Sequence, residues 1–117
     1  MNRLFVLIIL SFVGNLKGLT QNIYVTNVQP IANIKVFETS VSVQADIIVF
    51  KAPSPIYPGI DQNEGIWYFT EVQTLANKII CYTQTPVTAD LIVYYTDIPT
   101  LAGWQNINKK ELLKDND

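Results

Sequence analysis

Seven carboxylates precede the C-terminal tail: Glu38, Asp46, Asp61, Glu64, Glu71, Asp90 and Asp97. Hydrolysis of a glycosidic bond needs two carboxyl groups flanking one bond in a cleft. No two of these stand apart from the rest by spacing. Histidine is absent from all 117 residues, which excludes Ser-His-Asp and Cys-His nucleophilic catalysis and every His-ligated metal. Cys81 is the single cysteine, so no intramolecular disulfide or thiolate cage can form, and it reads as a small apolar residue. Calcium takes six to eight oxygen ligands. Asp46 and Glu64 fall in or beside a sequence column shared with Asn33, Asn77 and Asp90, but corner chemistry accounts for that column without an ion. The expectation is a protein that is not an enzyme and carries no cofactor and no metal.

The residues left for recognition are aromatic, and they recur. Alanines stand at 32, 45, 76, 89 and 102, with gaps of thirteen residues except one of thirty-one. Asn33, Asp46, Asn77 and Asp90 follow the first four. Four residues after the Ala come Val36, Val49, Ile80 and Val93, and five after it Phe37, Phe50, Cys81 and Tyr94. Placing Asn63 in the Ala position brings Trp67, Tyr68 and Thr70 into the same columns, and one further step back adds Ile23, Tyr24 and Thr26. Six copies result, and Ala102-Gly103-Trp104 begins a truncated seventh. The Thr column, Thr26, Thr39, Thr70, Thr83 and Thr96, invites an ice-binding reading, but Ala52 interrupts it and strand preference explains it.

Such a short fixed period marks a repeat architecture. Each copy alternates in its core and is rich in β-branched and aromatic residues, so the element is a strand and the class all-β. A second apolar position four before each Ala (Val28, Val41, Val72, Thr85 and Ile98) hints at a second, shorter strand per copy. About six units then make either a β-solenoid-like parallel stack, in which every column becomes a ladder, or an antiparallel meander or barrel. Thirteen residues make a narrow coil, and no Asn-Gly or Asp-Gly hairpin signal occurs. The solenoid is slightly preferred.

Adjacent residues of a strand face opposite sides. If the aliphatic column is inside, the aromatic column (Tyr24, Phe37, Phe50, Tyr68 and Tyr94) lies on the other face. There it either packs on itself as a ladder or forms a stripe able to bind.

The ends differ from the repeats. Met-Asn-Arg, an apolar run from Leu4 to Val13 and small residues at Gly18 and Thr20 read as a signal peptide over 1–20. Its removal takes Arg3 and Lys17 and leaves six lysines against ten carboxylates, a net charge of −4. That balance excludes nucleic acid and a basic membrane-surface patch. The repeat domain is expected over 21–104. Residues 105–117 form a short helical cap with Asn106 or Asn108 as N-cap and Leu112 and Leu113 packing inward, protecting the last open edge.

The long gap holds "APSPIYPGIDQNE" at 52–64. Three prolines force it out of any ladder. It is expected to form a protruding loop that either offers Tyr57 as a contact or folds Ile56, Tyr57 and Ile60 back over a strand edge.

The motifs "QADIIVF" at 44–50, "GIWYF" at 65–69, "ADLIVYY" at 89–95 and "AGW" at 102–104 resemble a family of small exported bacterial proteins of unknown function, typical of Bacteroidota, with Gln-Ala-Asp-Leu-x-Val-Tyr repeats. This chain departs from that pattern at Cys81, where Tyr is usual, and in the insertion. The resemblance implies an exported protein and transfers no catalytic residue. The expected role is structural or in interaction with an unknown protein or glycan. The alternatives are a carbohydrate-binding module using the aromatic column and an inhibitor or immunity-type partner of another exported protein.

Overall fold

The computed structural model describes residues 18–59 and 61–114. Ile60 and residues 1–17, most of the expected signal peptide, lie outside them. The strands are β1 Gln21–Val25, β2 Ile34–Glu38, β3 Ile47–Lys51, β4 Ile66–Phe69, β5 Lys78–Tyr82, β6 Leu91–Thr96 and the two-residue β7 Gly103–Trp104. Each sequence unit supplies one strand. The apolar position four before each Ala, read as the seed of a second strand, instead precedes a single turn of 3-10 helix.

β1 to β6 close into a parallel barrel in the order β4-β1-β5-β2-β6-β3, with β3 returning to β4. The solenoid is therefore not what forms, and the barrel is parallel rather than antiparallel. Strands consecutive in sequence are not neighbours: β1 pairs with β4 and β5, and β2 with β5 and β6. β7 pairs antiparallel with the first half of the β3 edge that β4 occupies further along. Counting β7 as a slot between β3 and β4 gives a seven-slot ring, and the chain then advances by two slots at every step.

The register explains why no ladder forms. Ile23 lies opposite Phe69 of β4 and Lys78 of β5, and Val36 opposite Tyr82 of β5 and Leu91 of β6. Val93 faces Glu38 of β2 and Ile47 of β3. Each aliphatic-column residue thus meets a residue two positions later on one neighbour and two earlier on the other. This stagger tilts the strands and closes the sheet, so equivalent residues meet around the axis as a layer instead of stacking along a ladder. Ile23, Val36, Val49, Trp67, Ile80 and Val93 form that central layer, all 0% exposed. Burying each aliphatic side chain contributes about 1.5–3 kcal/mol.

The Ala-Asn/Asp motif starts each strand. The Asn77 backbone N–H donates to the Asn22 carbonyl (2.7 Å), while Asn77 Oδ1 accepts from the Asn22 N–H (2.7 Å). Asn33 clasps Ile79, Asp90 clasps Lys35 and Asp46 clasps Ile92 in the same two-point manner. A short polar side chain beside its own backbone N–H imitates one more residue of the ladder. At the other end, the hydroxyls of Thr26, Thr39, Thr70 and Thr96 accept from the N–H two residues on, which turns the chain out of the strand. The Thr column is a set of turns.

Each connector must pass outside the strand it skips. The connector with Pro86–Thr88 packs on β2 and that with Pro99–Leu101 on β3. Gly65 sits where three chain segments converge. It has φ +90°, and a Cβ there would lie 2.7 Å from the Ile48 carbonyl oxygen and 2.8 Å from the Gly103 nitrogen. No side chain fits between β3 and β7 at that point.

Candidate functional site: the open end of the barrel

The two mouths of the barrel are built from the inward residues on either side of the central layer. At the strand N-termini these are Gln21, Ile34, Ile47, Gly65, Lys78 and Leu91, all buried. The C-terminal tail closes this end. A 3-10 helix, Ile107–Leu113, begins at Asn106, whose side chain accepts from the Asn108 N–H. Leu113 is 1% exposed within the core cluster, and Gln21 Nε2 donates to its carbonyl (3.0 Å). Asp46 anchors the tail: its carbonyl accepts from the Gln105 and Asn106 N–H groups, and its carboxylate meets Asn106 Nδ2 and Lys109 Nζ, both at 3.2 Å. Lys110 pairs with Glu64 at 3.0 Å, and Trp104 Nε1 donates to the Asn63 carbonyl at 3.1 Å. Leu113 packs inward as expected, but Leu112 is exposed. A closed barrel has no last edge, so the tail stops an end instead.

At the strand C-termini the third inward position of each unit holds Val25, Glu38, Lys51, Phe69, Tyr82 and Tyr95. Trp67 of the central layer is the floor. Trp67, Phe69 and Tyr95 have ring centroids 6.0–6.2 Å apart in tilted and edge-to-face contacts. Lys51 Nζ lies 4.4 Å from the Tyr95 centroid and 5.3 Å from that of Phe69. The Tyr82 and Tyr95 hydroxyls are 2.6 Å apart. Burial raises the Tyr82 phenol above its ordinary value and its bond to Tyr95 partly offsets this, while the nearby Glu38 charge adds to the rise. Tyr95 is raised further, by burial first and then by Tyr82 and Glu38. Both phenols therefore stay protonated across the physiological range. Among the described residues no chain segment pairs across this end.

This cluster is absent from the sequence reading. Its column holds Val, Glu, Lys, Phe, Tyr and Tyr, so no shared residue type marks it. Only its parity with the aliphatic column, two residues earlier, could have revealed it.

The aromatic column itself is on the outer wall, and Tyr24, Phe37, Phe50, Tyr68 and Tyr94 are all half-buried. With neighbours out of register, its members form a ring around the barrel, and no two of them stack on each other. Tyr68 lines a hollow of about 570 Å³ with Asn22, Pro55, Glu71 and Leu75. Tyr24 lines an adjoining one of about 480 Å³ that shares Phe69, Thr70 and Glu71. Cys81 is buried. Tyr57 is half-buried and meets Phe50 edge-on at 5.8 Å.

The 52–64 loop is tied to the start of the described chain. Leu19 and Ile56 form an antiparallel bridge, the Thr20 N–H donates to the Pro55 carbonyl (3.0 Å) and the Tyr57 N–H to that of Gly18 (2.6 Å). Thr20, assigned to the signal peptide, is 1% exposed. Cleavage after Thr20 would remove these bonds, whereas cleavage before Gly18 would keep them.

A parallel barrel wound twice, with every connector passing over a skipped strand, defines a class of interlaced β-barrel domain. The chain belongs to the septoil knot domain family: residues 19–105 match the model described as the 7(1) septoil knot domain. That description fits the seven-slot winding. No curated protein and no solved structure matches the chain.

Proposed function

We propose that this is an exported, non-enzymatic interaction module, a rigid barrel that presents its open end to a partner. One observation carries the reading: the two ends are built from equivalent positions, yet one is filled by Leu113 and the tail while the other gathers aromatic and charged side chains. The leader-like N-terminus and the resemblance to small exported bacterial proteins support export.

The test is binding of the purified protein to a panel of glycans and exported proteins, beside a Phe69→Leu/Tyr95→Leu variant shown to be folded. A partner captured by the wild type and lost by the variant supports the reading. Equal capture by both removes the open end from it. Hydrolysis that disappears on replacing a single Asp or Glu would overturn the non-enzymatic assignment.

A second reading, a carbohydrate-binding module, rests on the outer wall. Tyr24 and Tyr68 line adjoining hollows with Asn22 and Glu71 at hand, the mixture of ring faces and polar groups that sugar binding uses. Glycan capture lost in Tyr68→Ala and kept in Tyr95→Leu, which replaces no lining residue of either hollow, would favour it.

A further inference from the structure

The open end already holds a cation. Lys51 Nζ sits over the rings of Tyr95 and Phe69 at 4.4 and 5.3 Å, inside the range over which a ring face attracts an ammonium. The rings cannot turn freely, because Phe69, Tyr95 and Trp67 hold one another and the Tyr95 hydroxyl is tied to that of Tyr82. Trp67 closes the bottom without any exposure. Glu38 places a negative charge beside both phenols. Two ring faces thus hold a primary ammonium, with Trp67 packed against both rings and the Glu38 charge close to the Tyr82 and Tyr95 phenols. Lys51 itself makes no ion pair and no hydrogen bond through Nζ with any described residue, and it ends β3 as an exposed side chain. It is held by ring faces alone, an interaction of about 0.5–1 kcal/mol at an exposed position.

We propose that the open end is a binding site for a primary alkylammonium group, the lysine side chain of a partner protein, and that Lys51 is the resident occupant the guest displaces. The inference rests on the reading of the open end as the presenting face. Displacing Lys51 leaves Glu38 as the one charged side chain of that inward column, which favours a cationic guest. With Lys51 displaced, the ring quadrupoles and Glu38 repel a carboxylate or phosphate. A sugar would need free ring faces, and Lys51 covers those of Phe69 and Tyr95.

The experiment opens the site with Lys51→Ala and titrates Nα-acetyl-lysine methylamide, following Trp67 fluorescence and the aromatic proton resonances. The neutral Nα-acetyl-norleucine methylamide and tetramethylammonium are run beside it. Saturable binding is expected in Lys51→Ala, at least about tenfold tighter than in the wild type, where Lys51 competes. It should weaken several-fold when Glu38→Gln is added and vanish when Phe69→Leu is added, with the unfolding midpoint checked for each variant. Glu38→Gln leaves the rings in place, so the test survives if the Phe69 variant misfolds. No saturable shift in Lys51→Ala, an equal shift from the norleucine probe, or tighter binding of tetramethylammonium would each overturn the proposal. A partner captured by the wild type and lost in the open-end variant, with no lysine-probe binding, would leave the interaction reading standing and remove this inference alone.

Discussion

The two ends of this barrel occupy equivalent places in every repeat and have opposite fates. At the strand N-termini three of the six inward residues are aliphatic (Ile34, Ile47 and Leu91) beside Gln21, Gly65 and Lys78, all six are buried, and the tail seals them with Leu113 and a hub of bonds to Asp46. At the strand C-termini the corresponding residues are Val25, Glu38, Lys51, Phe69, Tyr82 and Tyr95, which no described chain segment covers. Pseudo-symmetry of the repeats therefore does not extend to chemistry. The sealed end should carry stability, and the open end should be free of that duty.

The largest expected effect is at the seal. Leu113→Ala removes a fully buried side chain from the stopper and should cost about 2–5 kcal/mol, read as a lower midpoint in urea unfolding. A loss below about 1 kcal/mol would show that the tail is dispensable and the two ends alike.

Asp46→Ala comes next. Its carboxylate accepts from the Ile92 N–H, Asn106 and Lys109, so its removal leaves a part-buried N–H without its partner and loosens a tail whose remaining bonds to this residue are the two to its backbone carbonyl. The expected cost is about 2–3 kcal/mol, with hydrogen exchange accelerating first in residues 105–113. Uniform acceleration across the barrel would mean that the tail does not move as a separate unit.

At the open end Lys51→Met should change stability by less than about 1 kcal/mol, since it gives up only an exposed ammonium–ring contact. A loss as large as that of Leu113→Ala would make the open end a second structural stopper.

The smallest effect is alkaline. The folded state raises both Tyr82 and Tyr95, which favours their protonated forms. Stability from this source is complete below the unfolded phenol value of about 10 and is lost as pH rises above it. The wild-type urea midpoint should then fall more steeply above about pH 10 than that of Tyr82→Phe/Tyr95→Phe. Equal slopes would mean that the phenols are not held protonated by the fold.

Much of this was legible in the residues. The thirteen-residue period, the strand in each unit and the inward aliphatic column all appear in the structure, because alternation along a strand is a local property. The Ala-Asn/Asp motif and the Thr column were visible as patterns, though their work as ladder clasps and turns needed the partner strand. The ladder, one of the two fates open to Tyr24, Phe37, Phe50, Tyr68 and Tyr94, failed on register: a stagger of two residues separates side chains that a solenoid would stack. The open end was missed for the same reason. Lys51, Phe69 and Tyr95 come from three strands and share no type, and only barrel closure brings them to one place.

The sequence by itself determined the unit: where each strand starts, which face is apolar and where the 52–64 loop leaves the sheet. Those features depend on contacts within a few residues, which sequence spacing encodes directly. Tertiary structure decided which strands are neighbours, that six of them close, that β7 takes the seventh slot and that, among the described residues, one mouth is filled and the other is not. One thirteen-residue spacing is compatible with a stack and with a ring wound twice. The choice between them is made by stagger and tilt across the whole sheet, and by a tail that finds its seat only once the barrel has closed.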